Sequence, residues 1–220
     1  MKRRKGSSFR LLVGMAAFTV LAGAASGAHA GSFDGPFVQV GAGFSSLGTL
    51  NTFSDSNLPG PFGQATSQLN MMGTIAAGYS YELPHSFNLA ADVFYNFGSR
   101  NAGYAFDSGD TLQNKLKNIW GISIEPGYNF SDKALGFVKL GWAMASTTLA
   151  LSDGTKFNAG TANGFLYGLG FKHLVTDHIS VGMEAYQIVF SSKSTTYDPT
   201  TTLSNKPNMT YGGITVGYKF

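Results

Sequence analysis

Few side chains in this 220-residue chain can do covalent chemistry, and their spacing limits what they can do. There is no cysteine, and the histidines are His29, His85, His173 and His178. Acyl transfer through a serine requires a histidine base and an orienting acid within hydrogen-bond reach. His85 precedes Ser86, but both sit in a short polar connector with no carboxylate at triad spacing, so no catalytic residue is assigned. His173 and His178 flank a turn, and two turn histidines alone make a weak metal site. Gly41-Ala42-Gly43 mimics a dinucleotide-binding loop, yet no helix follows to offer its N-terminus to a phosphate, so no cofactor is expected.

The remaining candidates are charged residues set among apolar neighbours: Asp92, Glu125, Lys139, Lys172, Glu184 and Lys219. Charge is scarce in this chain, at 12% of residues against roughly 25% in an ordinary soluble domain. Glycine and aromatic residues are abundant instead, with 29 Gly, 18 Phe and 10 Tyr. That composition suits a sheet with bulky rings on one face and small residues on the other.

Residues 1–30 read as a secretory signal peptide. They have a basic start, the apolar run LLVGMAAFTVLAGAA, and a small-x-small site at Ala28, His29 and Ala30. The apolar run is shorter than the roughly 20 residues of a membrane-spanning helix. Without this leader, the basic residues fall from fifteen to ten against twelve acidic ones, so the alkaline pI is no sign of nucleic-acid binding. The mature domain is then 31–220.

Along that domain, apolar residues recur at every second position in eight runs, the signature of strands. In one run Leu69, Met71, Ile75, Ala77, Tyr79 and Tyr81 alternate with polar or small neighbours, and in the next Phe87, Leu89, Ala91, Val93, Tyr95 and Phe97 do so. Only Phe94 breaks that second alternation. Similar runs carry Ile122 and Ile124, Val138 and Leu140, Phe165 and Leu169, and Ile179 and Val181, with PFVQVGAGFS and YGGITVGYKF as the first and last. Pro126 costs its strand one ladder bond, as at a bulge or strand end.

The connectors alternate in length. Those at 82–86, 131–134 and 174–178 are short, and those at 46–67, 99–114, 150–162 and 192–208 are long and polar. Aromatic residues gather near the short turns, as in the girdle of a transmembrane barrel. A soluble barrel would have to pack the same Phe, Tyr and Trp into the narrow bore of eight strands. The expected fold is therefore all-β, an eight-stranded antiparallel up-and-down transmembrane β-barrel with short periplasmic turns and four long extracellular loops.

The last strand makes the assignment specific. Ile214, Val216, Tyr218 and Phe220 form an apolar stripe that ends on the terminal residue, with Gly212 departing from it one step earlier. This stripe resembles the C-terminal signature by which insertion machinery recognises Gram-negative outer-membrane barrels. With the leader and eight runs, the whole mature chain resembles the opacity-type porin family, related to the transmembrane domain of outer membrane protein A. The resemblance implies residence in the outer membrane of a Gram-negative bacterium. It also implies contact with membrane lipid, lipopolysaccharide and the barrel-assembly machinery, and roles in surface adhesion or envelope integrity.

In that frame Asp92, Glu125, Lys139, Lys172, Glu184 and Lys219 point inward, and buried charges persist only when paired. A structural plug of salt bridges is expected, with a small gated pore as the alternative and a lipid A acyl hydrolase or transferase as a more remote one. Gly41, Gly43, Gly121, Gly168, Gly170 and Gly182 are expected to leave room inside. Phe53, Leu58 and Phe62 are the candidate contacts on the first long loop. The expected function is non-enzymatic.

Overall fold

The computed structural model describes residues 33–55, 62–98, 100–105, 111–151, 156–196 and 201–220, so the proposed leader lies outside them. The strands are β1 (Gly35–Asp55), β2 (Phe62–Glu82), β3 (Phe87–Phe97), β4 (Arg100–Ala105) and β5 (Thr111–Ser131). They continue with β6 (Ala134–Leu151), β7 (Lys156–Leu174), β8 (Ile179–Phe190), β9 (Lys193–Thr196) and β10 (Thr201–Lys219). Each strand in the order β1-β2-β3-β5-β6-β7-β8-β10 pairs antiparallel with the next, and β10 pairs with β1 to close the sheet. The barrel thus has eight staves, two of them interrupted. β4 continues the stave of β3 beyond Gly98, whose φ of 118° favours glycine, and β9 continues that of β8.

Ladder register fixes the slope of the staves. Stepping across from Val38 through Ala77, Val93, Ile122, Trp142, Phe165, Val189 and Asn208 returns to β1 at Gly48, ten residues further along. A shear of that size over eight strands corresponds to a tilt of about 40°. Pro126 does not shift the register, since Ile124 pairs Leu140 before it and Gly127 pairs Phe137 after it.

Alternation decides which side each residue takes. On β3 the odd-numbered side chains from Phe87 to Phe97 are exposed, and the even-numbered ones between them are buried. The exposed side is apolar all round the barrel, with Phe44, Val93, Ile122, Val138, Leu169 and Ile214 among its members. So much exposed apolar surface is a lipid-facing wall. T-shaped ring pairs lie on it near the short turns, with Phe87 and Tyr128 at 5.5 Å and Tyr218 and Phe220 at 5.1 Å.

The short turns are compact. Pro84–Ser86 forms a single 3-10 turn with His85 and Ser86 at φ 65°, and Asp132 and Lys133 alone join β5 to β6. In the third turn, the amides of His178 and Ile179 donate to Thr176 Oγ1 at 3.3 and 2.9 Å. The long connections differ from the irregular loops expected at 46–67 and 150–162, because the ladder runs on through most of them. β1 and β2 remain paired to Phe53 and Phe62, and β6 and β7 to Ala150 and Lys156.

Ladder closure is lost toward the outer ends. The β2–β3 pairing stops at Gly73 and Phe97, and the β7–β8 pairing at Gly164 and Phe190. Among the described residues, β4 is laddered to β5 and β9 to β10. The closed cylinder therefore continues outward as two four-stranded ribbons, β9–β10–β1–β2 and β4–β5–β6–β7.

Candidate functional site: the lumen and the outer hairpins

Five of the six charges assigned to the lumen meet in one layer. Glu125 on β5 and Lys139 on β6 lie on neighbouring staves, and Lys139 Nζ donates to Glu125 Oε1 at 2.7 Å. The same ammonium donates to Asp92 Oδ2 at 3.4 Å and lies 3.6 Å from Glu184 Oε2. Lys172 Nζ completes Glu125 from the other side, at 2.6 Å from Oε2. Ser123 Oγ donates to Asp92 Oδ2 at 2.7 Å. All of these side chains are buried, and charges so far from water persist through such direct pairing. The Lys172 ammonium also faces the rings of Phe137 and Phe37, at 4.6 and 5.0 Å from their centroids.

Lys219 is buried lower, at the short-turn end. With Lys172, Phe33, Phe37 and Gln39 it lines a cavity of about 30 Å³, room for about one water. Below the charges, Phe33, Leu135, Phe137 and Leu174 form an apolar cap.

Above the charges, a larger apolar cluster fills the bore. On β3 Asp92 is followed inward-facing by Phe94, on β6 Lys139 by Ala143 and Ala145, and on β8 Glu184 by Tyr186, Ile188 and Phe190. Leu47, Met72, Leu116, Leu166, Met209 and Tyr211 join them from the other staves. The ring of Tyr186 lies 4.8 Å from that of Tyr211, and its hydroxyl donates to Asn96 Oδ1 at 3.2 Å. The lumen is thus filled in three layers: a lower layer in which the apolar cap sits among buried polar side chains such as Asn88, Asn129 and Lys219, the ion-pair layer, and the apolar plug.

This corrects the expectation that the inward glycines leave room. A Cβ on Gly170 would strike the ring of Phe137, one on Gly168 the side chain of Tyr186, and one on Gly121 the ring of Phe94 at 2.7 Å. At Gly43 the obstacle is the backbone of Gly212, at Gly41 the Thr74 methyl at 2.7 Å, and at Gly182 the Phe171 carbonyl oxygen at 2.5 Å, with the Thr215 hydroxyl behind it at 2.9 Å. These glycines are seats for neighbouring groups, and the rings occupy the space.

The apolar plug went unpredicted, though a signal for it exists. Leu166 stands between Phe165 and Tyr167, Ile119 beside Trp120, and Met72 beside Met71. Two adjacent apolar residues on a strand place one on each face.

The histidines lie where the spacing put them, at the short-turn end. His85 is in the turn, His173 is exposed near the end of β7, and His178 Nδ1 is 3.1 Å from Lys219 O with its ring stacked on Tyr218. Among the described residues, no group of three or more potential ligands converges on a metal position. The stripe Ile214, Val216, Tyr218 and Phe220 faces outward, and the Phe220 amide donates to Pro36 O at 3.0 Å, anchoring the end of the chain to β1. Of the expected loop contacts, Leu58 lies outside the described residues. Phe53 and Phe62 are described in backbone alone, as an outer ladder pair of the β1–β2 hairpin and so on strands instead of a loop.

With this geometry in hand, comparison with known proteins is informative. Residues 15–220 match the family model described as the outer membrane protein beta-barrel domain. No curated protein matches the chain in sequence. Among solved structures, Neisserial surface protein A is 15% identical with a TM-score of 0.50, over 84% of this chain and 97% of its own. The outer membrane protein OprG from Pseudomonas aeruginosa is 12% identical with a TM-score of 0.49, over 87% of this chain and 99% of its own. The outer membrane protease OmpT from Escherichia coli is 11% identical with a TM-score of 0.46, over 84% and 96%. At such identities a likeness speaks to the fold alone, and it is the family match, with the closed ladder and lipid-facing wall, that places the protein. The chain belongs to the outer membrane protein beta-barrel family and resides in the outer membrane of a Gram-negative bacterium.

Proposed function

We propose that this protein is a non-enzymatic surface barrel, sealed through its lumen, whose outer hairpins serve surface interaction or adhesion and support the envelope. One contrast carries this reading. The lumen is filled from cap to plug, while uninterrupted strands run to 18–21 residues, about twice what a membrane crossing requires. A stave of that length spends about half its residues outside the bilayer. The filled lumen weighs against diffusion of solutes through it. Acyl chemistry on outer-leaflet lipid would need a base on the outer side, and the histidines after the leader all fall at the short-turn end.

The stripe from Ile214 to Phe220 acts in this reading as the address read by the assembly machinery, and the apolar wall contacts lipid directly. To test the surface role, cells expressing the full chain are compared with cells in which each hairpin tip is replaced by a two-residue turn. Heat-modifiable gel mobility reports that both barrels are folded. Adherence to cultured epithelial cells that falls with the tips supports the reading, and adherence unchanged by their removal sinks it.

A further inference from the structure

Below the ion-pair layer the bore keeps one small pit that sealing the lumen does not require. Gln39 on β1, Gly217 on β10 and Ser180 on β8 are successive ladder partners, so this row of the wall passes from a side-chain amide through bare backbone to a hydroxyl. The glycine makes the pit, since a Cβ on Gly217 would meet Ser180 Oγ at 2.7 Å. Ser80 borders the same space from β2, and the volume is about 30 Å³. Lys172 and Lys219 complete the polar lining, Lys219 from two residues beyond Gly217 on the same face of β10.

The lining is one-sided in charge. Lys172, Lys219, Gln39 and Ser80 are all more than nine-tenths buried, and no carboxylate is among the residues that line the pit. Lys172 Nζ gives one hydrogen to Glu125 Oε2 at 2.6 Å, and an ammonium carries three. Asp92 and Glu184, the other carboxylates of the layer, face Lys139. One more donor stands beside Ser80: Asn88 accepts the Ser80 hydroxyl through Oδ1 at 2.9 Å, while its buried Nδ2 has no partner. Ammonium, amide and hydroxyl donors around so small a space suit an anion, and the volume admits one monatomic ion but no tetrahedral oxyanion.

The pit is also covered. Gly35, with φ 116°, turns the chain where β1 begins, and Phe33 enters the bore beside Leu135, Phe137 and Leu174. Asp34 Oδ1 holds the turn by accepting the Glu82 amide at 3.3 Å. The Phe33 ring lines the pit at the short-turn end.

We propose that this pit is a binding site for a single halide-sized anion, such as chloride, held between the ammonium groups of Lys172 and Lys219 and covered by Phe33. The anion gives Lys172 a second acceptor besides Glu125, in surroundings where donors without acceptors are costly. It is a resident ion and opens no route, because the apolar plug above it stays in place.

The full chain, folded in uncharged micelles, is studied by chloride-35 NMR at constant ionic strength, with gluconate as the replacing anion. A linewidth excess that chloride saturates, that bromide removes and that sulfate leaves in place is expected. Lys219→Met is expected to weaken the site about ten-fold or more with heat-modifiable mobility unchanged, because a charge-assisted hydrogen bond is lost. Lys133→Gln, at an exposed turn of the same end, is expected to leave affinity within about two-fold. An excess that chloride fails to saturate, or sulfate competing as well as bromide, overturns the proposal in favour of a pit that holds water only, and both of these arms use the unaltered chain. Saturable binding of unchanged strength in Lys219→Met, or equal loss in Lys133→Gln, also overturns it, in favour of diffuse charge at the rim.

Discussion

Lys139 is where the lumen is most exposed to a single change. Its ammonium faces Glu125, Asp92 and Glu184, and removing it leaves carboxylates buried together with Lys172 as the remaining partner of Glu125. Breaking a buried pair from one side costs about 3–5 kcal/mol, so Lys139→Met is expected to lower stability by that amount. Urea unfolding of the barrel in micelles measures it, and a cost under about 1 kcal/mol would mean that the layer is solvated. A steric counterpart is at Gly170, where an added methyl meets the ring of Phe137. Gly170→Ala is expected to cost about 1–3 kcal/mol, and much of the loss should be recovered when Phe137→Leu is added. Additive effects in that double-mutant cycle would show that the ring is not the obstacle.

At the level of elements, strand runs and inward charges could be read from the sequence because period-two alternation assigns a face to every residue. Asp92, Glu125, Lys139, Lys172 and Glu184 could be placed inside before their contacts were known. The apolar plug escapes that template, which scores one apolar face, whereas β7 and β8 carry Leu166 and Ile188 on the other, and only the adjacent apolar pairs betray it. Phe94 was the visible exception, and its interruption of the pattern marks the layer that the ladder assembles from seven other staves. Nor could the outer hairpins be read correctly. Their Ser, Thr, Asn and Gly composition suggests loops, yet cross-strand pairs such as Ser46 with Ser67, 2.7 Å apart through their hydroxyls, hold polar ladders together. The final strand supports a separate prediction. Phe220→Ser removes an outward ring, and the Phe220 backbone amide that bonds Pro36 remains. Folding in micelles should therefore persist while the heat-modifiable fraction in cells falls several-fold; equal losses in both settings would make Phe220 a stability residue instead of an assembly signal.

For the molecule as a whole, the order of layers along the axis matters more than any one contact. A ring of ion pairs by itself could exchange partners and admit water, as polar lumens can. Here that ring is bounded below by Phe33, Leu135, Phe137 and Leu174, and above by a cluster that includes Phe94, Leu166, Tyr186 and Tyr211. Rearranging the charges alone would leave both apolar layers in place. Interiors packed in this way yield little space without moving several side chains together. On the proposed reading, function is then pushed outward, to the wall and to the two four-stranded ribbons beyond it. Conductance of the purified protein across a planar lipid bilayer tests this most directly. Traces no different from the bare membrane are predicted, whereas reproducible current steps that change with Glu125→Gln or Lys139→Gln would contradict a sealed barrel.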